Sequence, residues 1–125
     1  MVYDFKAEIV KAKGQGTAKS GSHHWLLQRI TGIILALCSV WLIYFTLTNK
    51  NNDINIIMWE LKKPFNIVVL LITVATSLYH AMLGMRVVIE DYISCHKLCN
   101  TLIIIVQLFC ILTIVAFIVA MFYRG

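Results

Sequence analysis

Three long apolar runs separated by short polar connectors set the pattern of this chain. The first, from about Ile30 to Leu47, carries no charge and is about as long as the hydrocarbon core of a bilayer requires of a helix. The second, from about Phe65 to Ile89, follows Pro64, a residue suited to a first helical turn, and is interrupted by polar residues such as His80 and Arg86. The third runs almost purely apolar from Thr101 to about Tyr123. None alternates with the period of two that a membrane barrel needs, and lipid admits only helices or closed barrels. The expected fold is therefore an all-α membrane protein with three transmembrane helices. Residues 1–29 form a cytoplasmic amino-terminal segment and 30–125 the transmembrane domain. In the first connector, Ile54, Ile57, Met58 and Leu61 recur at helical spacing beside Trp59, which predicts a short amphipathic helix on the membrane surface.

Composition agrees with lipid as the solvent: 60% of the residues are hydrophobic and 14% charged, too few to coat a water-soluble core. The formal charge of +5 does not imply nucleic acid, because the Lys and Arg residues flank apolar runs instead of forming a patch. Lys6, Lys11, Lys13, Lys19 and Arg29 precede or open the first span, and Lys97 lies in the second connector on the same side. Lys50, Lys62, Lys63 and Arg124 fall on the other, so the positive-inside rule places the amino terminus in the cytoplasm. Residues 1–24 show no apolar stretch of a cleavable signal. Asp4 and Glu8 without Arg make a poor mitochondrial transit sequence, which favours a bacterial inner membrane over a mitochondrial one. Cys38 and Cys110 lie within spans and Cys95 and Cys99 near a connector, an arrangement unlike a disulfide framework.

The polar residues inside the spans carry the functional reading. His80 precedes Asp91 by eleven residues, which at the helical rise puts it about 16 Å inside the cytoplasmic edge, near mid-bilayer. An imidazole there needs a partner, either a hydrogen bond to another helix or heme iron, for which the neutral ring supplies an axial nitrogen. Gly84, one turn on, leaves room for a flat ring or for a neighbouring helix. Asp91 returns to the face of His80 after three turns and meets Tyr92 at the membrane edge. A quinone headgroup docking there needs a hydrogen-bond donor and a proton route, which a phenol and a carboxyl provide. Asp91 also sits at a helix carboxyl end, where a negative charge calls for a partner.

The entry to the first span reads Ser22-His23-His24-Trp25-Leu26-Leu27-Gln28-Arg29. Trp25 is an interface anchor; Arg29 with His23 or His24 either anchors likewise or meets the propionates of a heme. Arg86 is read as snorkelling to the interface. Cys95, His96 and Cys99 supply three candidate ligands and no fourth, a poor metal site. No histidine besides His80 falls mid-span, so a bis-histidine heme requires a second chain or a second copy.

With His80, Gly84, Asp91 and Tyr92 in the pattern H-x3-G-x6-D-Y, and with the Ser22–Arg29 entry segment, the sequence resembles the hydrophobic cytochrome-b-type membrane-anchor subunits of succinate dehydrogenase over nearly its whole length. The resemblance implies a complex in which a flavoprotein oxidises succinate, an iron–sulfur subunit relays electrons, and two anchor chains complete a helical bundle, hold heme b and bind ubiquinone. It matches His80 to the axial heme ligand, Tyr92 to the tyrosine on the ubiquinone oxygen, Asp91 to its acidic neighbour, and Arg29 with His23, or His24, to the propionate side. The chain is then part of an enzyme without holding a complete catalytic site. Competing expectations are the anchor of a fumarate reductase, a structural or assembly membrane protein, and, more weakly, a small proton-coupled transporter, which lacks the inverted repeats of that class.

Overall fold

The computed structural model describes residues 18–123, in which four helices follow one another: α1 (Ala18–Asn49), α2 (Ile54–Leu61), α3 (Pro64–Tyr92) and α4 (His96–Tyr123). Among the described residues every regular element is helical, and α1, α3 and α4 are each long and apolar enough to cross a membrane. Lys6, Lys11, Lys13 and Arg124, which enter the charge bias between the two sides, lie outside the described residues.

The short helix α2 covers the segment that the spacing of Ile54, Ile57, Met58 and Leu61 predicts. Pro64 opens α3, where its missing N–H is not needed. α1 begins twelve residues before the apolar run at Ile30, and α4 starts at His96, ahead of Thr101. The difference is physical: hydropathy marks the hydrocarbon, whereas a helix continues into the headgroup region, where its polar residues are at home. At 28 or 29 residues per candidate span, the helices extend about 42–44 Å, the thickness of a bilayer with its headgroups.

α1 stops in a polar turn. Asn49 donates from Nδ2 to the Phe45 carbonyl at 2.9 Å, and its own carbonyl accepts from the Asn52 N–H at 3.0 Å, so a buried amide is satisfied as the chain leaves the helix. The link from α2 to α3 is tied by Lys63 to Glu60 at 2.7 Å and by the Asn66 amide to the Glu60 carbonyl at 2.7 Å. α3 ends where Ile93 turns extended.

α3 lies in the middle, packed by α1 on one side and α4 on the other, while α1 and α4 make no comparable contact. The three long helices thus form a layer, not a closed bundle. The described apolar residues that become buried are few and lie where helices meet: Cys38, Leu83, Ile89, Cys99 and Cys110. The large side chains, such as Leu37, Ile43, Phe109 and Leu112, point outward, the arrangement expected where lipid or another chain replaces water.

Candidate functional site

One face of α1 meets α3 through polar side chains. His24, Gln28 and Thr31 follow one another at four- and three-residue steps, the spacing of a single helical stripe. Thr31 Oγ1 lies 2.8 Å from His80 Nδ1 and joins the centres of the two helices. The same oxygen is 2.8 Å from the Leu27 carbonyl and 3.2 Å from that of Gln28. Beside it, a Cβ placed on Gly32 would stand 3.6 Å from His80 Cε1, so the backbone of α1 comes close to the imidazole edge. A turn away, a Cβ on Gly84 would stand 3.7 Å from Gln28 Nε2. The space that Gly84 opens is therefore taken by a side chain of α1, the helix-packing role of a small residue.

His80 keeps one ring nitrogen in hand. Its Nδ1 is engaged by Thr31, and among the described residues its Nε2 has no hydrogen-bond partner. Two further polar atoms of the seam, His24 Nε2 and Gln28 Oε1, are buried without a partner. Buried polar atoms are nearly always satisfied, so each of these orphans calls for a partner such as water, a ligand or a second protein.

The remaining candidates lie at the ends of the same helices. His80 and Asp91 fall on one continuous helix, as their spacing requires. Asp91 is exposed, and Tyr92 is 85% exposed at the last turn of α3. Asp91 has no side-chain partner among the described residues; the nearby guanidinium of Arg86 bonds instead to Glu90 at 2.9 Å. That pair is spaced one turn apart, a signal present in the sequence and overlooked in reading Arg86 as a snorkelling residue. Arg29 sits over the Trp25 ring at 4.9 Å.

A cavity of about 650 Å³ opens between α1, α3 and α4, lined by His23, His24, Leu27, Tyr79, Arg86, Glu90 and Gln107 among others. It brings both entry histidines to Arg86. Arg29, Asp91, Tyr92 and His80 do not line it, because the α3 residues facing it form a stripe adjacent to, and separate from, that of His80 and Asp91. Thr31 and Gly32, with the packing of Gln28 against Gly84, are features that sequence reasoning did not find. A hydroxyl in an apolar span most often bonds its own helix, and hydropathy carries no register between helices.

A family model of the succinate dehydrogenase/fumarate reductase transmembrane subunit matches residues 5–121. The chain belongs to that family. Among relatives, it is 88% identical over 126 residues to the succinate dehydrogenase hydrophobic membrane anchor subunit of Rickettsia conorii, with all of both chains covered. To the subunit of the same name from Rickettsia felis it is 86% identical over 125 residues, again with full coverage. A more distant succinate dehydrogenase membrane anchor subunit, from Reclinomonas americana, is 35% identical over 83 residues, covering 63% of this chain and 68% of the relative. No solved structure gives a significant match. As a family member, the chain is a multi-pass anchor within an enzyme complex, in keeping with its three apolar helices.

Proposed function

We propose that this subunit anchors succinate dehydrogenase in a bacterial inner membrane, amino terminus in the cytoplasm, shares a heme b with a second anchor chain and contributes to the ubiquinone-reducing site. The family match and the full-length relatives support the anchor role. The observation that carries the heme reading is His80, midway along α3, with one nitrogen held by a neighbouring helix and the other without a partner among the described residues.

The donor set fits a heme better than a bare ion. Among the described residues no three His, Cys, Asp or Glu side chains gather, so a lone imidazole holds iron only where a macrocycle supplies the equatorial ligands. The orphaned His24 Nε2 and Gln28 Oε1 fit a seam that a cofactor or companion chain completes. Bound there, heme supplies a one-electron redox centre. His80 would hold the iron from this chain and the companion anchor would supply the other protein ligand. Arg29 and His23 or His24 are the cationic and hydrogen-bonding groups available to propionates at the cytoplasmic end.

At that end Tyr92 donates its phenolic hydrogen bond to a quinone carbonyl, and Asp91, without a competing partner among the described residues, passes protons from water. Succinate oxidation belongs to the flavoprotein and the relay to the iron–sulfur subunit. The family description also spans fumarate reductases, but the relatives cited above are succinate dehydrogenase subunits, which favours succinate oxidation as the direction of turnover.

Purification of the complex in mild detergent through a tag on this chain tests partners and cofactor together. Co-purifying flavoprotein, iron–sulfur and second anchor subunits with a reduced-minus-oxidised heme spectrum are expected. His80→Ala should abolish that heme signal, and an unaltered spectrum would exclude His80 as the ligand. Tyr92→Phe should slow ubiquinone reduction roughly five- to tenfold, the effect of one lost hydrogen bond of about 1–1.5 kcal/mol, while leaving the spectrum intact. An unchanged rate removes Tyr92 from the quinone site.

A further inference from the structure

We propose that Thr31 is a positioning residue for the heme: by accepting the only proton of the neutral His80 ring at Nδ1, it leaves Nε2 bare as the nitrogen that binds iron. The inference rests on the heme reading above and deepens it by assigning the tautomer and the residue that sets it.

Proton accounting decides the direction of the hydrogen bond. A threonine hydroxyl has one proton to give and two lone pairs to accept with. Thr31 Oγ1 stands 2.8 Å from the Leu27 carbonyl oxygen and 3.2 Å from that of Gln28. Neither carbonyl carries a proton, so the hydroxyl proton must lie toward them; otherwise oxygen lone pairs would face each other at hydrogen-bond distance. The third contact, 2.8 Å to His80 Nδ1, then has no hydroxyl proton left to fill it. The ring must donate. A neutral imidazole carries one N–H, so Nδ1–H excludes a proton on Nε2.

The setting makes that choice firm. Thr31 is only 7% exposed, so little solvent competes for either partner, and a hydrogen bond in a low-dielectric interior is electrostatically stronger than in water. Thr31 is held by its own helix through the carbonyl of the preceding turn and has little freedom to turn its oxygen away. Gly32 lets the α1 backbone approach the Cε1 edge between the two nitrogens. One turn of α1 thus provides both the acceptor that fixes the ring and the close surface that it rests against. Metal-bound histidines commonly have their other nitrogen oriented in this way, and loss of such a partner weakens metal binding.

Two variants separate hydrogen bonding from packing. Thr31→Val keeps the branched shape and removes the acceptor; Thr31→Ser keeps the hydroxyl and removes a methyl. In the assembled complex, Thr31→Val should retain heme about 10- to 100-fold more weakly and shift the heme midpoint potential, whereas Thr31→Ser should stay close to the native protein on both measures. A Thr31→Val complex with native heme retention and potential, or a Thr31→Ser complex as impaired as Thr31→Val, overturns the proposal. An assignment free of variants at Thr31 comes from ¹⁵N spectra of the histidine-labelled full chain in lipid without heme, with the His80 signals identified by their loss in His80→Ala. A proton on Nδ1 is expected, and a proton on Nε2 overturns the proposal even if Thr31→Val does not assemble. Heme retained in His80→Ala would instead defeat the heme reading itself. Heme lost from His80→Ala but unaffected in Thr31→Val defeats only the role of Thr31.

Discussion

α3 presents different chemistry to its two neighbours. Toward α1 it offers His80 and the bare backbone at Gly84, and α1 answers with Thr31, Gln28 and His24. Toward α4 the buried Cys110 Sγ lies 3.8 Å from the Leu78 carbonyl oxygen, beside Tyr79, Met82, Gln107, Ile111 and Ile114. Small residues and close packing hold helices together in lipid, and polar side chains add hydrogen bonds between them, as Thr31 and His80 do. The α1–α3 seam holds buried polar atoms without partners, whereas among the described residues the α3–α4 side shows no such orphan, although Tyr79 and Gln107 lie beside it.

Substitutions that press on one seam at a time sharpen this contrast. The largest effect on stability is expected from Gly84→Leu, which forces a side chain into the space of Gln28; overpacking of this kind costs about 1–3 kcal/mol, read as a lower thermal midpoint of the complex together with an altered heme spectrum. Cys110→Ala removes one buried atom from the other seam and should cost about 1 kcal/mol with the heme spectrum unchanged. A spectral shift in Cys110→Ala, or none in Gly84→Leu, would erase the distinction between the seams. The smallest effect belongs to Arg86→Ala. Its pair with Glu90 is half exposed on both sides, so stability should change by less than about 0.5 kcal/mol, within the resolution of a careful melting comparison.

The division between what hydropathy reveals and what it hides follows from the physics of the bilayer. Solvation by lipid acts residue by residue along one helix, so the spans, the Pro64 start and the amphipathic Ile54–Leu61 segment are legible in the chain itself. The helix starts at Ala18 and His96 are not, because the headgroup region tolerates polar helical turns and leaves no hydropathy edge to read. His80 stands out as an expensive residue at mid-span, and its hydrogen bond to another helix was one of the two readings open for it. The identity of that partner was hidden, since the rotation and sliding of α1 against α3 depend on packing between residues 49 positions apart. Gln28 was obscured in the same way: beside Trp25 and Arg29 it reads as part of an anchor, and only the register across the seam reveals that it fills the gap at Gly84. Of the remaining candidate residues, Arg29 stacks on Trp25 while Asp91 and Tyr92 are exposed at the end of α3.

A layer with α3 at its centre has two broad sides and almost no inside. Its persistence is thus governed by mass action with whatever occupies those sides, so copies made in excess of their companions should be short-lived and sensitive to the choice of detergent. Control over how much complete enzyme accumulates then falls to the supply of the scarcest companion, because an orphaned copy has little of its own to keep it.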